Sequence, residues 1–391
     1  MTTQPAFSHA AQMIPLAQEL TRRDHQVAIA TSPSFAPTLR QLGLNVLAFK
    51  PDWLVRPGDL VYDRTVGSES FFGFAQVPDR SSIAGLVDLA RDFAPDLVVR
   101  EYSEFSGWFV AQGLRRPLVT HAIIHRLPPP AESRLVDLVG RLAGQVGVPP
   151  PKSGDDLLGQ AYLDVIPPSF RTPWEHDMPL GHPVRPAVFD GSAAVPPSRI
   201  SKLGRQRPLV YVTLGTIFTG YPTLWRTLLT ALSRLDVDAV VTTGSADPSE
   251  LPKPPSNVAV ERYIPQSQLL PHCSAVVCHA GFNTLIGAFV HGLPCVCLPL
   301  DADQPVNAAR CAAAGAGVNL ANASPRDPRG PLTDPETLSA DVIVDAVNSV
   351  LTDPIFRGAA RRLAAEIATM PGPVETVSLL EEMASKALDS V

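Results

Sequence analysis

This chain of 391 residues lacks the features that mark several large classes of protein. It contains no block of basic residues and has a formal net charge of −6, so we expect no nucleic-acid partner. No run of about 18 uninterrupted apolar residues occurs, which excludes a membrane-spanning helix. The segment Met1–Phe7 has neither the basic start nor the apolar core of a secretion signal. We therefore expect a cytoplasmic protein with no membrane span.

Motifs for metals and for dinucleotides are missing as well. The five cysteines are an odd number and lie mostly in apolar segments, and the close pair Cys295 and Cys297 has no second pair or acidic cluster beside it. They are expected to be reduced, packed thiols, and no metal site is predicted. No GxGxxG follows a predicted strand, which disfavours a dinucleotide-dependent dehydrogenase.

What the chain does contain is a regular alternation of apolar, strand-like runs with segments of helical periodicity. In the first half the strands are predicted at 27–31, 44–49, 96–100 and 117–121, and the second half repeats the pattern in LVYVTLG, DAVVTT, NVAVERY, AVVCH, CVCLPL and GVNL. This alternation is typical of parallel sheets with crossover helices. The sequence therefore predicts an α/β protein with two doubly wound domains, whose ligands collect where the strands end.

Changes in composition place the domain boundaries. A proline-rich stretch without strands predicts a linker over 186–207, between an N-terminal domain over 1–185 and a C-terminal domain over 208–370. A further helix is predicted over 371–391, and its return to the first domain is one option.

Small polar residues cluster in the turn that follows the predicted strand AVVC. His279, Gly281, Asn283 and Thr284 span this turn and the start of the next helix, where main-chain N–H groups and the helix dipole attract an anion such as a diphosphate. The alternative is structural, with Asn283 or Thr284 as an N-cap and His279 as an ordinary strand-end residue.

Two neighbouring strands end in similar turns. Gly215 and Thr216 follow one of them, and Asp303 and Gln304 follow the other. A carboxylate beside an amide is suited to hold the vicinal hydroxyls of a sugar, because Asp accepts hydrogen bonds and Gln both accepts and donates them. Helix capping by Asp303 is the structural alternative.

The segment Arg262–Ala308, RYIPQSQLLPHCSAVVCHAGFNTLIGAFVHGLPCVCLPLDADQPVNA, resembles the nucleotide-sugar signature of glycosyltransferases with the GT-B fold, the UDP-glycosyltransferase superfamily. This superfamily includes plant natural-product enzymes and bacterial antibiotic glycosyltransferases. The resemblance implies two Rossmann-like domains that face a central cleft, and an enzyme that moves a sugar from a nucleotide-diphosphate sugar to a small-molecule acceptor. It implies no metal or other cofactor.

The resemblance also implies roles for individual residues. They are diphosphate binding by Thr216, His279, Gly281, Asn283 and Thr284, base binding by Tyr263, Ile264 and Gln266, and donor-sugar binding by Asp303 and Gln304. Plant relatives carry a glutamate for the ribose hydroxyls at the position of Gly287. Its replacement favours a dTDP-sugar as donor, with a UDP-sugar as the alternative.

The segment FSHAAQMIPLAQEL resembles the family's first turn and helix, in which a histidine serves as general base. His9 takes that position, and Glu101 takes the position of its carboxylate partner, with Glu104 as a nearby substitute. The implied reaction is a single displacement with inversion. The family's first strand has no counterpart in Met1–Ala6, so either the chain is shortened at this edge of the sheet or its start is atypical.

The acceptor is expected to be apolar or aromatic, because two segments of the first half that are expected to line its pocket, YDRTVGSESFFGFAQVPDR and EYSEFSGWF, are rich in aromatic residues. Candidate acceptor-binding residues are Phe71, Phe72, Phe105, Trp108 and His121, with ordinary core packing as the alternative. Two other functions stay open at this point, a non-catalytic glycosyltransferase-like partner that activates another enzyme and a GT-B nucleotide-sugar epimerase. The protein is expected to be a monomer or a homodimer.

Overall fold

The computed structural model describes residues 1–49, 80–176, 178–191, 206–216, 219–322 and 330–388. The chain divides into two compact units. Unit 1 comprises Met1–Ile166, Arg171–Phe189 and Thr369–Val391, and unit 2 comprises Pro167–Phe170 and Asp190–Ala368. None of the helices in these described ranges is long and apolar enough to cross a membrane.

The described part of unit 1 contains six parallel strands in two groups. Strands β1 (Ile29–Thr31) and β2 (Val46–Ala48) pair with each other, and β3 (Val98–Glu101), β4 (Leu118–His121), β5 (Ala161–Asp164) and β6 (Gly181–Pro183) form a second sheet in that order. Strands β1, β2 and β4 lie within the predicted segments and β3 extends one residue past its segment, whereas β5 and β6 were not predicted. Both are short, and β6 begins with glycine and ends with proline, residues that are depleted in strands.

The helices of unit 1 cover these strands. They are α1 (Phe7–Arg22), α2 (Ala36–Gln41), α3 (Arg80–Phe93), α4 (Ser106–Leu114), α5 (Pro129–Val146), α6 (Gly154–Leu158) and the C-terminal α13 (Pro373–Leu388). Helix α1 buries Met13 and Leu16 against Val99 and Val119 of the sheet and Val377 of α13. Each such fully buried aliphatic side chain contributes about 1.5–3 kcal/mol relative to an exposed one, so this face fixes α1 on the sheet.

The chain start lies between the two groups of strands. Thr2 forms isolated parallel bridges to Ala30 on one side and Arg100 on the other. These bridges are too few for a strand, as expected from the sequence of Met1–Ala6. They nevertheless fix the segment that leads into α1.

In its described ranges, unit 2 contains one parallel sheet of six strands. They are β7 (Leu209–Thr213), β8 (Asp238–Thr242), β9 (Val258–Glu261), β10 (Ala275–Cys278), β11 (Cys295–Cys297) and β12 (Gly317–Asn319), in the order β12-β11-β10-β7-β8-β9. All six lie within the predicted runs. The four inner strands, β7, β8, β10 and β11, are buried at every residue, as expected where crossover helices cover both faces of a parallel sheet, whereas the edge strands β9 and β12 are only partly buried.

The helices of unit 2 follow the strands in chain order. They are α7 (Pro222–Leu232), α8 (Gln266–Leu269), α9 (Phe282–Val290), α10 (Gln304–Ala313), α11 (Ala340–Thr352) and α12 (Pro354–Thr369). The strand order reverses between β7 and β10, which is a topological switch point. In open α/β sheets the loops at such a point form a crevice for ligands, so the loops after β7 and β10 are the place to look for a site.

Candidate active site: polar groups at the strand ends of each unit

In unit 1 the predicted base and its partner are in contact. His9 lies in the first turn of α1, and its Nδ1 is 3.1 Å from Oε1 of Glu101, the last residue of β3. The glutamate side chain is fully buried, whereas the histidine side chain keeps 15% of its surface exposed. A proton on Nδ1 donated to the carboxylate leaves Nε2 as the atom that can accept a proton.

Ser103 and Gln4 hold the carboxylate in place, and neither was singled out from the sequence. Ser103 donates its hydroxyl and its N–H to Glu101, at 2.9 Å and 2.7 Å from Oε2, and the N–H of Gln4 approaches Oε1 at 3.4 Å. Burial works to raise the pKa of Glu101, but the charge and hydrogen bond of His9 and the bonds of Ser103 outweigh it, so the pKa is lowered. Glu101 is therefore ionised when His9 takes a proton.

Glu104, considered as a substitute partner for His9, has a different role. Its carboxylate accepts from the N–H groups of Ser106 and Gly107, at 2.6 Å and 3.0 Å, at the start of α4. Burial raises its pKa, and hydrogen bonds from Ser106 and Gly107 act against the rise. Glu104 thus satisfies the first turn of α4 and leaves Glu101 as the partner of His9.

The predicted acceptor-binding residues are mostly core residues. Phe105 and Trp108 are each only 1% exposed, and the indole N–H of Trp108 donates to the carbonyl of Asp156. His121 is 2% exposed, its Nδ1 bonds the carbonyl of Ala122 at 2.6 Å, and burial lowers its pKa to about 4. None of the three presents appreciable surface to a ligand, which corrects that expectation. Phe71 and Phe72 lie outside the described residues.

In unit 2 three strands end at the same level. Thr213 of β7 and Cys297 of β11 are both register partners of Cys278, the last residue of β10. The loops after these strands therefore start side by side. They carry the residues predicted to bind the donor.

His279 is enclosed by two glycines of these loops. A methyl group added to Gly215 would lie 2.6 Å from Nε2 of His279, and one added to Gly281 would lie 2.4 Å from the same atom. Gly215 also has a φ of +82°, which side chains rarely tolerate. Burial lowers the pKa of His279, against opposing effects of Cys278 and Asp303, and its buried Nδ1 has no hydrogen-bond partner among the described residues. A neutral imidazole that can donate a hydrogen bond is therefore held at this strand end.

Helix α9 begins immediately after this histidine. Gly281 is its N-cap, and no side chain caps the helix. Asn283 and Thr284 lie in the first turn instead of at the cap, so the structural alternative of an N-cap does not apply to them. The positive end of a nine-residue helix with glycine at its entrance is a favourable place for a phosphate.

Asp303 and Gln304 begin the helix that follows β11. The carboxylate of Asp303 does not cap α10 and instead accepts a hydrogen bond from the amide of Asn307 at 2.6 Å. Gln304 is buried, and its Oε1 accepts from the N–H groups of Leu300 and Asp301. The side-chain carbonyl of Gln304 already accepts two hydrogen bonds within this loop. Gln304 can therefore offer a ligand the N–H donors of its amide but not the carbonyl acceptor.

The three predicted base-binding residues differ in exposure. Tyr263 is 53% exposed, with its hydroxyl donating to the carbonyl of Asp190 at 3.0 Å, whereas Ile264 is 2% exposed and belongs to the core. Gln266 is half-buried and donates to Thr284 Oγ1 at 3.3 Å. Tyr263 therefore presents an aromatic surface, Ile264 presents almost none, and Gln266 links α8 to the first turn of α9.

The remaining predictions concern Thr216 and the cysteines. Thr216 is exposed just beyond Gly215. All five cysteines are buried free thiols. Within the described ranges, no group of three or more His, Cys, Asp or Glu side chains is arranged to hold a metal ion.

Comparisons with known proteins agree with this arrangement. Residues 226–383 match the family described as Erythromycin biosynthesis protein CIII-like, C-terminal domain. The chain is 30% identical to 4'-demethylrebeccamycin synthase of Lentzea aerocolonigenes, over 97% of this chain and 98% of that protein. It is 27% identical to 10-deoxymethynolide desosaminyltransferase of Streptomyces venezuelae, over 99% and 97% of the two chains.

Two solved structures resemble it over nearly their whole length. The glycosyltransferase VinC in complex with dTDP matches with a TM-score of 0.80 and 25% identity, over 99% of each chain. The spinosyn rhamnosyltransferase SpnG complexed with spinosyn aglycone matches with a TM-score of 0.78 and 26% identity, over 97% of this chain and 98% of that one. The chain has two α/β units built on parallel strands, and a relative is 30% identical to it along almost the entire sequence. It therefore belongs to the natural-product glycosyltransferases of the GT-B fold, the group that includes the enzymes of antibiotic biosynthesis.

Proposed function

We propose that this glycosyltransferase moves a sugar from a dTDP-sugar to a hydroxyl group of a small apolar or aromatic natural product, with inversion at the anomeric carbon. The observation that carries the proposal is the contact between Nδ1 of His9 and Oε1 of Glu101 at 3.1 Å. A histidine fixed through one ring nitrogen by a buried carboxylate is suited to remove the proton of an attacking alcohol or phenol with the other.

The proton has a defined route. Nε2 of His9 takes it as the acceptor oxygen forms its bond to the anomeric carbon and the bond to the diphosphate breaks. The imidazolium that results is stabilised by the ionised Glu101, whose pKa is lowered by His9 itself and by the hydrogen bonds of Ser103. Since a single displacement places nucleophile and leaving group on opposite faces of the carbon, the product has inverted configuration.

The departing diphosphate needs stabilisation of its growing negative charge. The start of α9 supplies the positive end of a helix, and His279 beside it supplies a neutral ring able to donate a hydrogen bond. Fixed donors of this kind perform the task that a divalent cation performs in other transferases. We therefore propose a reaction that needs no metal ion.

The preference for dTDP over UDP rests on Gly287. A methyl group at this position would lie 3.0 Å from Oε1 of Gln266 and 3.0 Å from Cδ1 of Leu270. The space that a glutamate would need is therefore filled by Gln266 of α8 and by Leu270 just after this helix, and Gly287 itself offers no carboxylate for a ribose 2′-hydroxyl. A deoxyribose donor loses nothing at such a site. The name TDP-daunosamine transferase of a 29% identical relative from Streptomyces peucetius is in line with this proposal.

Thermal unfolding with dTDP and with UDP at equal concentrations tests the donor. A nucleotide that binds the folded protein stabilises it by RT ln(1 + [L]/Kd), about 2.7 kcal/mol at a hundredfold excess over Kd, so Tm should rise more with dTDP than with UDP. Stabilisation by neither nucleotide would overturn the assignment of the donor. A larger effect of UDP would leave the glycosyltransferase reaction intact and refute only the argument from Gly287.

The non-catalytic alternative makes a different prediction. A glycosyltransferase-like activator would bind a nucleotide without turnover, and the His9 and Glu101 pair would have no kinetic role. Incubation of the purified chain with a dTDP-sugar and a panel of phenolic and macrolactone acceptors separates the two, since only the enzyme releases dTDP in step with a glycosylated product.

A further inference from the structure

Arg100 is a fully buried cation next to the proposed catalytic pair. It belongs to β3, directly precedes Glu101 and is 0% exposed, and its guanidinium lies 4.6 Å from the centre of the Phe105 ring. Burial lowers the pKa of Arg100 to about 10, against the opposing charges of Glu104 and Glu101, so the side chain is charged at neutral pH. A buried charge is unfavourable unless polar groups surround it, so the partners of this one indicate its role.

The guanidinium of Arg100 binds the main-chain carbonyls of one loop. This exit loop comprises residues 101–104, at the end of β3. Nη1 donates to three of its carbonyls, at 2.7 Å, 2.9 Å and 3.2 Å, which are those of Tyr102, Glu104 and Glu101. Nη2 and Nε donate to the carbonyl of Leu157 in α6, at 2.8 Å and 3.3 Å. The exit loop is therefore wrapped around one side chain, which also connects it to α6.

The wrapped exit loop requires the geometry of an arginine. Buried carbonyls need hydrogen-bond donors, and a guanidinium presents five N–H groups in one plane and in fixed directions. A lysine in the same place carries its charge on a single nitrogen, with three donors and no planar arrangement. The charge of Arg100 and the geometry of its donors can therefore be separated by substitution.

The path of the exit loop decides which groups meet Glu101. The carbonyl of Ser103 is bound elsewhere, since it accepts from the side-chain amide of Gln4 at 2.8 Å. In this conformation the N–H of Ser103 lies 2.7 Å from Oε2 of Glu101, and its hydroxyl oxygen lies 2.9 Å from the same atom and 3.3 Å from Nδ1 of His9. The groups that hold Glu101 against His9 thus come from the loop that Arg100 shapes.

Arg100 also supplies positive charge where two carboxylates are buried. Glu101 and Glu104 are 0% and 1% exposed. Since each of their charges raises the pKa of Arg100, the charge of Arg100 in turn favours the ionised form of both carboxylates. An ionised Glu101 is the counter-charge that an imidazolium at His9 needs.

We propose that Arg100 is a positioning residue for the general base. It acts through Glu101, by fixing the exit loop in the path that brings Ser103 to the carboxylate and by balancing the charge of that carboxylate. This role rests on the proposed function, in which His9 is the base and Glu101 its partner. The alternative is that Arg100 only stabilises the fold of unit 1.

The substitutions Arg100→Lys and Arg100→Met separate charge from geometry. Lysine keeps the charge and loses the planar set of donors, so we expect kcat for glycosyl transfer to fall by about 10-fold, whereas methionine loses both and should cost about 100-fold. KM for the dTDP-sugar and the Tm shift produced by dTDP should stay within about twofold, because the proposed donor-binding residues lie in unit 2. A kcat of Arg100→Lys equal to that of the parent chain would overturn the proposal, whether or not Arg100→Met folds.

Leu135→Ala is the control for a loss of stability alone. Leu135 lies in α5 and is 3% exposed, so its truncation leaves a cavity in unit 1 and lowers Tm. Its kcat, measured at a temperature at which all the variants are folded, should stay near that of the parent chain. A fall in kcat for Leu135→Ala as large as that for Arg100→Lys would show that lost stability explains both, and would overturn the proposal.

A double substitution tests whether Arg100 acts through Glu101. On a Glu101→Gln background, Arg100→Lys should lower kcat further by less than about twofold, because the carboxylate that it positions is already gone. A loss as large as in the parent chain would overturn action through Glu101.

His9→Ala separates a failure of this proposal from a failure of the proposed function. We expect both His9→Ala and Arg100→Lys to lower kcat. If His9→Ala lowers kcat and Arg100→Lys does not, the role of Arg100 is wrong and His9 stays assigned as the base. If neither variant lowers kcat, the assignment of the base is itself wrong, and Arg100 has no base to position.

Discussion

The two units assemble their polar groups in different ways. In unit 2 nearly all the predicted donor-binding residues lie in one stretch of sequence, Tyr263–Gln304, and adjacent parallel strands bring their loops together. In unit 1 the pair that matters most, His9 and Glu101, is separated by 92 positions and meets only because α1 packs on the end of β3. The nucleotide-binding residues are thus brought together by local topology, whereas the position of the general base, His9, depends on packing between distant parts of the chain.

Replacement of His9 by alanine should have the largest effect on glycosyl transfer and should leave nucleotide binding by unit 2 unchanged. We expect kcat/KM for glycosyl transfer to fall by about 10²–10⁴-fold, because the proton acceptor is lost, while the Tm shift produced by dTDP stays unchanged. His176→Ala, a change at an exposed histidine of unit 1, is the matched control and should keep full activity. Full turnover by His9→Ala would remove the assignment of the base and favour the non-catalytic alternative.

A change at Gly281 should instead weaken nucleotide binding in unit 2. A methyl group there meets Nε2 of His279 at 2.4 Å, so the ring must move from its place beside the start of α9. We expect Gly281→Ala to weaken dTDP binding by about 10-fold, equivalent to roughly 1–2 kcal/mol, without loss of the His9 and Glu101 contact. Isothermal titration with dTDP measures this.

Gly220 offers a matched control in the same unit. A methyl group at this glycine meets nothing within 4 Å, and its backbone needs no positive φ. Gly220→Ala should therefore bind dTDP as the parent chain does. Equal affinities for Gly281→Ala and Gly220→Ala would show that His279 does not have to sit between the glycines for the diphosphate to bind.

The difference between the units also explains what could be predicted from the sequence. The four inner strands of unit 2, β7, β8, β10 and β11, were predictable because strands buried on both faces are largely apolar along their length. His9 and Glu101 were predicted from a resemblance to known motifs, which already encodes a long-range contact. Ser103 was missed because a serine two residues after a strand carries no signal of its own, and its role appears only when both of its bonds to Glu101 are seen.

Burial explains the remaining errors. Phe105 and Trp108 were candidates for an acceptor pocket because they are aromatic and follow a strand, but α4 turns both into the core. Periodicity in a helix of nine residues with apolar groups on every side does not distinguish a buried face from a pocket wall. Strands β5 and β6 were missed for a different reason, because both are short and β6 begins with glycine and ends with proline.

The smallest expected effect tests how unit 1 positions its base. Ser103→Ala removes the hydroxyl donor to Glu101 but keeps the main-chain N–H, so we expect kcat to fall about fivefold, in line with roughly 1 kcal/mol for one such bond.

Because Ser103 helps to keep the pKa of Glu101 low, its loss raises that pKa toward the unfolded value. A lowered carboxylate pKa stabilises the fold above the unfolded pKa, about 4.3, and this contribution is lost as the pH falls through the folded pKa. The Tm of Ser103→Ala should therefore lie below that of the parent chain at pH 7, and the gap should close as the pH falls below about 4. If the Tm difference between Ser103→Ala and the parent chain were the same at pH 7 and below pH 4, Ser103 would act by packing alone, and Glu101 would keep its charge without it.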